Sequence, residues 1–382
     1  MLYAPPLSER RRFLQQAGVV AACIATPALA QSSKAVAAQR SIAIAQIVDV
    51  SQAQQDVSKD FLVGSRAAWQ DINLRGGLRG RRIEHLAFET DGTTTSLRSA
   101  LDSVKNNPAC VVLSGSAGDP LATQATYLAR KDGLNMAHVA PWLQNSSLEM
   151  DDNTFPIFAA RQEQIKHALK TLSVMGLSEI GAVFGSGSDY LAYRAEVERI
   201  TSSLQLKLQT FQAQGELRAL GQRLTPKTPA VLLFVGGTPE LAEFTQGLQR
   251  QARQRYVVAL ADVNLQTMQQ MGAGRSTPVI ATQPVPLVTS SIAVVRSYRE
   301  TLARLFDEPP TSLSLAGFIA ARYTYEVLNG MDTSLTRASV LGAFQKRLNL
   351  DMGGFRVSFN SQRRSSTYVT QSMMTLDGRL IG

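Results

Sequence analysis

Short apolar runs that stop abruptly in loops of small and hydroxyl residues recur along the chain, each followed by a stretch with helical spacing. Cys110-Val-Val-Leu113 has no polar member, breaks off in Ser114-Gly-Ser-Ala-Gly118, and precedes a helix predicted over 121–130. A run that is apolar on both faces suits a parallel strand covered by helices on both sides. Ser41–Val48 reads as a similar strand. Residues 60–73 carry Phe61, Leu62, Gly64, Ala67, Ala68 and Ile72 at helical spacing, and Gly76 and Gly77 suit the positive φ that stops a helix. Arg81–Glu89 predicts the next strand and 96–106 the next helix. Asn135–Ala140 predicts a fourth strand, ending in the polar loop Pro141-Trp-Leu-Gln-Asn-Ser-Ser147.

A second cycle follows. Strands are expected over 180–184, 207–214, 230–235 and 256–260, with helices over 162–175 and 192–204. Strands alternating with helices through right-handed crossovers give doubly wound parallel sheets, so the chain is α/β, and the second set of strands makes a second lobe. Ligands bind such sheets beyond the carboxyl ends of the strands. The loop 114–118 faces the positive end of the helix after it. It reads either as one jaw of a small-molecule site or as a tight βα turn that needs glycine.

Composition narrows the class. The chain has 382 residues, 44% hydrophobic and 18% charged, enough for two ordinary domains. The formal charge is +9, with +2 of it in the first thirty residues, where Arg10, Arg11 and Arg12 outweigh Glu9. The remaining basic residues are scattered among acids, as in Arg194-Ala-Glu-Val-Glu-Arg199, without an aromatic-interleaved block for nucleic acid.

The amino terminus reads as an export signal over residues 1–30. Ser8-Glu-Arg-Arg-Arg-Phe-Leu14 resembles a twin-arginine motif, an apolar run spans 17–24, and Ala28-Leu-Ala30 offers a cleavage site near Ala30. A general secretory signal also fits, as does a lipid-acceptor box ending at Cys23, which ranks last. Loss of Cys23 would leave Cys110 alone, a small buried hydrophobe without a disulfide partner. No later apolar run approaches the roughly 20 residues that span a membrane.

In order and spacing the chain resembles the branched-chain amino-acid-type periplasmic substrate-binding proteins of ABC importers (the leucine/isoleucine/valine-binding protein family), with a type I periplasmic-binding fold. The match is carried by Asp71-Ile-Asn73 with Gly76-Gly77, Gly80-Arg-Arg-Ile83, Asp91-Gly92, Pro141-Trp142, Asp189-Tyr190 and Gly236-Gly237. It continues through Thr282-Gln-Pro284, Gly317-Phe-Ile-Ala-Ala-Arg322, Gly353-Gly-Phe355 and Asp377-Gly-Arg379. The resemblance implies two doubly wound lobes joined by a three-crossing hinge: residues 41–160 with 285–350, and 161–281 with 355–382. It implies a monomer that captures a small organic molecule in the periplasm and hands it to an ABC permease in the inner membrane, with no cofactor, metal or nucleic acid. A sensor acting on a membrane receptor is the alternative.

Carried over by position, ligand contacts fall on Ser114, Ser116 and Ala117, on Trp142 and Leu143, and across the cleft on Tyr190, Gly237 and Asp262. Ser116 suits a carboxylate or carbonyl, Trp142 and Tyr190 suit stacking, and Asp262 suits an amine. Trp142 and Tyr190 also read as packing residues, and Asp262 as a helix cap. Two departures make a plain branched-chain amino acid doubtful: Trp142-Leu-Gln144 stands where small and threonine residues are usual, and Leu191 where glycine is. Catalysis has little to rest on, since His85, His138 and His167 keep no metal-ligand spacing and Gly185-Ser-Gly-Ser188 is no nucleophile elbow. A hydrolase assembled from distant residues is the least favoured reading.

Overall fold

A computed structural model of the protein describes residues 42–382 except 174, 175, 214, 250, 252, 274–276, 366, 367 and 378. The export signal, with Cys23 and Ala30, and Gly378 of the last motif lie outside the described residues.

The first half runs β1 (Ile42–Asp49), α1 (Gln55–Leu74), β2 (Ile83–Thr90), α2 (Thr94–Asn106), β3 (Cys110–Ser114), α3 (Asp119–Lys131), β4 (His138–Val139) and β5 (Thr154–Phe155). Its five strands are all parallel, in the order β2-β1-β3-β4-β5. Every residue of β1 is buried, and its side chains divide by parity as a sandwiched strand requires. Ile42, Ile44 and Val48 join one core, while Ala43, Ala45 and Ile47 join the other beneath α2 and α3. The expected fourth strand shrinks to two residues because Ala140 takes φ +49 and Pro141 follows.

The second half continues α4 (Arg161–Ser173), β6 (Glu179–Phe184), α5 (Gly187–Ser203), β7 (Lys207–Gln212), α6 (Leu217–Arg223), β8 (Val231–Val235), α7 (Thr238–Leu248), β9 (Tyr256–Ala259), α8 (Leu265–Gln270) and β10 (Val279–Gln283). Strands β6 to β10 order as β7-β6-β8-β9-β10, all parallel. The chain then supplies α9 (Ala293–Leu305), α10 (Ser312–Asn329) and α11 (Arg337–Gln345), which pack on the first sheet's core. A short hairpin of β11 (Leu350–Asp351) and β12 (Arg356–Val357) brings Phe355 and Val357 into that same core. Finally β13 (Thr370–Met374) pairs antiparallel with β10, and β14 (Leu380–Ile381) antiparallel with β13. The result is two α/β lobes, the second sheet carrying an antiparallel edge.

Helices α1 and α10 cross at two glycines. A Cβ on Gly64 would run into the Ser314 carbonyl, and one on Gly317 into the Phe61 carbonyl. The bare backbones let the helices touch and hold the amino end of α1 beside the tips of β1 and β3.

Candidate functional site

In each sheet the winding reverses between two neighbouring strands, β1 and β3 in the first lobe and β6 and β8 in the second. Loops leaving such strands splay apart and open a crevice. In the second lobe these tips lie so close that a Cβ on Gly185 would sit 3.3 Å from the Gly236 Cα.

The residues expected at the first lobe's tips divide. Ser114 lies behind the loop and hydrogen-bonds Thr324 of α10 at 2.7 Å. Ala117 contributes backbone: its N–H donates to the Ile47 carbonyl at 3.0 Å, and its carbonyl accepts from Asp49. Ser116 is buried, with Oγ 3.0 Å from His138 Nε2. The other ring nitrogen lies 3.4 Å from Thr126 Oγ1, whose proton goes to the Ala122 carbonyl. Thr126 therefore accepts from Nδ1–H, and Nε2 is left to accept the Ser116 proton. Burial pulls the His138 pKa down to about 4, so the ring is neutral at physiological pH.

Leu143 is buried against Ala122 and Met150. Trp142, 1% exposed, packs edge-on against Phe61 and tilts against Phe158, with centroids 5.8 and 5.4 Å away. Its indole Nε1 donates to Asp262 Oδ1 at 2.8 Å, and Gln144 Nε2 donates to the same oxygen at 2.6 Å. Gln164 Nε2 in turn donates to Gln144 Oε1 at 2.8 Å, while its own Oε1 accepts from the Ala261 amide and from Thr282. These bonds join the Pro141–Ser147 loop to the tips of β9 and β10. Asp262 lies deep among protein atoms with one edge open; burial raises its pKa to about 6, Asp119 adding to the shift while Trp142 and Gln144 oppose it.

On the second lobe, Tyr190 packs its ring edge-on against Phe184 at 5.3 Å, and its hydroxyl accepts from Arg194 at 2.6 Å. Gly237 is the N-cap residue of α7, where a Cβ would lie 2.8 Å from Glu240 Oε2. Of the eight expected residues, Trp142 touches two others: its backbone N–H donates to the Ser116 carbonyl at 2.8 Å and its indole to Asp262.

Sequence reasoning missed the group at the centre. Arg161 opens α4 and is 2% exposed; it pairs with Asp119 at 2.8 Å and Glu196 at 2.6 Å, and its guanidinium lies 4.0 Å from the Tyr193 ring. Burial alone would discharge it, but the two carboxylates keep it firmly cationic. Asp119 Oδ1 also accepts the Gln144 and Asn145 amides at 2.7 and 2.9 Å, and Glu196 Oε1 accepts the Ser146 amide at 2.9 Å. The triad thus fastens the loop that carries Trp142. Its members are 35 and 42 residues apart, beyond any local pattern, and a buried acid in each partner stretch reads like any surface charge in sequence.

Burial also raises the pKa values of Asp189 and Glu240, the latter helped by Asp189 and Asp56. Among the described residues no group of three or more His, Cys, Asp or Glu side chains could hold a metal ion, and no helix is long and apolar enough to cross a membrane.

Comparison with solved structures places this architecture. An extracellular ligand-binding receptor from Verminephrobacter eiseniae superposes with a TM-score of 0.81 at 17% identity, covering 90% of this chain and 100% of the other. A substrate-binding periplasmic protein from Ralstonia solanacearum gives 0.77 at 20%, covering 89% and 99%. A branched-chain amino acid transporter substrate binding protein from Streptococcus pneumoniae, solved with isoleucine, gives 0.72 at 15%, covering 90% and 98%. No curated protein matches the sequence. The profile of the periplasmic binding protein family matches residues 41–374, so the chain belongs to that family, with the two-lobed fold of its branched-chain amino-acid-binding type.

Proposed function

We propose that this protein is an extracytoplasmic solute-binding protein, which captures a small organic molecule between its lobes and delivers it to an ABC importer. The solute class is an amino acid or a related carboxylate, amide or aromatic compound. The protein acts as a binder rather than an enzyme, and as a monomer in the periplasm after export. The supporting observation is the Trp142–Asp262 bond, which links a strand tip of one lobe to a strand tip of the other where the crevice lies. A solute held there favours closure about crossings near 158–161, 281–284 and 351–354. In this reading Ser116, Trp142, Tyr190, Gly237 and Asp262 border the site, with Ser114, Ala117 and Leu143 supporting the loops behind it.

The test is a thermal-shift screen of the exported chain against amino acids, amides, aromatic acids and dicarboxylates, followed by solution scattering with each hit. A solute that binds only the folded chain raises the melting point by mass action. Hits that also compact the molecule support the reading; a broad panel without a hit removes it.

A further inference from the structure

Several of the donors at the strand tips that could hold a ligand anion are already engaged within the chain, most of them by its own acids. At the start of α3, Asp119 takes the Gln144 and Asn145 amides on one oxygen and Arg161 on the other, at 2.7, 2.9 and 2.8 Å. The other arm of Arg161 and the Ser146 amide go to Glu196. At the start of α5, Ser186 accepts the Asp189 amide and donates its proton to Asp189 Oδ2 at 2.7 Å. At the start of α7, the Glu240 carboxylate folds back over Gly237. The Ser116 proton is directed at His138 Nε2.

Acceptors are in the opposite condition. Both N–H donors to Asp262 land on Oδ1, and among the described residues no protein donor is seen at Oδ2, on a residue that keeps partial exposure. The nearby buried cation, Arg161, is matched by two carboxylates, while Asp189 at the start of α5 and Glu240 at the start of α7 are further acids and bring no cation. A carboxylate entering here would meet acids and few free donors, whereas an ammonium would gain a charge-assisted bond at Asp262.

We infer that the solute is held through a cationic nitrogen at Asp262 Oδ2 and carries no free carboxylate, as in a small organic amine or an amino-acid amide. The inference rests on the solute-binding reading above and narrows its ligand class. Asp119 already takes the Gln144 and Asn145 amides and one arm of Arg161, donors that a ligand carboxylate would need in this loop.

Titration calorimetry with matched probes tests it. One set is leucine, leucinamide, 3-methylbutylamine and 4-methylpentanoate; a second is phenylalanine, phenylalaninamide, phenethylamine and 3-phenylpropanoate. The expected result, in at least one set, is amine and amide binding about tenfold or more tighter than the parent amino acid, and no binding of the acid. Asp262→Asn, which keeps an acceptor for Trp142 and Gln144, should abolish the preference, and Glu240→Gln at the rim should weaken amine binding several-fold. Tighter binding of leucine, phenylalanine or either acid would overturn the inference while leaving the solute-binding reading intact. Failure of every ammonium probe, or full amine affinity in Asp262→Asn, would overturn it as well. Loss of the broader reading is recognised separately, by a screen in which no solute of any charge raises the melting point.

Discussion

Trp142 Nε1 and Asp262 Oδ1 lie 2.8 Å apart, although 120 residues of chain separate them. The indole is pinned on its apolar side by Phe61 and Phe158 and on its polar edge by the carboxylate. A ring held at both ends is a fixed, buried part of the loop and is not free to stack on whatever enters.

Trp142→Phe keeps most of the packing and removes the donor. A hydrogen bond to a charged group is worth about 1.5–3 kcal/mol, so urea denaturation should show a loss in that range. Because Trp142 is one of the groups that hold the Asp262 pKa down, the carboxyl should titrate at higher pH in the variant, as read by carbon NMR of the labelled side chain. A stability loss without that upward shift would mean that the ring matters only through its volume.

The two lobes and most of their longer strands were legible because buried parallel strands are written as continuous apolar runs that need no long-range information, whereas the order of the strands in each sheet comes from the structure. Short strands were harder: β4 lies inside the expected 135–140 but keeps only two residues, the two-residue β5 was not expected, and Ala140 ends β4 through a backbone conformation that alanine gives no warning of. At the site, sequence picked out Trp142 and Asp262 separately, as contacts for a ligand. That they bond each other depends on where two lobes meet. Arg161 lies at the boundary expected between the two lobes, and its role as the buried tie between Asp119 and Glu196 comes from the same meeting.

Arg161→Met should destabilise the fold by about 3–5 kcal/mol, because it leaves Asp119 and Glu196 buried without a cation. Arg161→Lys should recover little, since one ammonium cannot reproduce the planar fork that reaches both acids. The triple variant Arg161→Met, Asp119→Asn, Glu196→Gln should be more stable than Arg161→Met alone. Chemical denaturation of the three proteins decides; equal stability of the single and triple variants would show that the charges are not coupled.

Asp262 makes stability depend on pH in an unusual direction. Its pKa in the folded chain is about 6, against an ordinary value of 3.8, so the folded state keeps the proton where the unfolded state has lost it. Its contribution is fully present below about pH 4 and is lost as pH rises through about 6, up to about 3 kcal/mol. Asp262→Asn should therefore melt higher than the parent at neutral pH, with the difference vanishing near pH 4. A constant offset across that range would contradict the assignment.

His85 and His138 act with the opposite sign. Burial lowers both to about 4 from 6.5, so each contributes stability that is present above about pH 6.5 and is lost as pH falls toward 4, up to about 3 kcal/mol apiece. Proton NMR should find both imidazoles still neutral near pH 5.5. His85 is held by Gln46 Oε1 at 2.8 Å and His138 by Ser116, so Ser116→Ala should change the His138 signal and leave that of His85 in place.

The crossing of α1 and α10 gives a prediction in which the same substitution changes sign with its surroundings. Gly64→Ala would drive a methyl into the Ser314 carbonyl across the helix interface, and overpacking of this kind costs about 1–3 kcal/mol or more. Gly342 lies in α11 with nothing within 4 Å of an added Cβ, so Gly342→Ala there should stabilise by about 0.5–1 kcal/mol through helix propensity. Because α1 carries Phe61 against the Trp142 ring, Gly64→Ala should also weaken solute binding, whereas Gly342→Ala should leave it unchanged. Thermal melts and titrations of the two variants separate the effects, and a Gly64→Ala protein as stable as the parent would mean that the helices can move apart without disturbing the crevice.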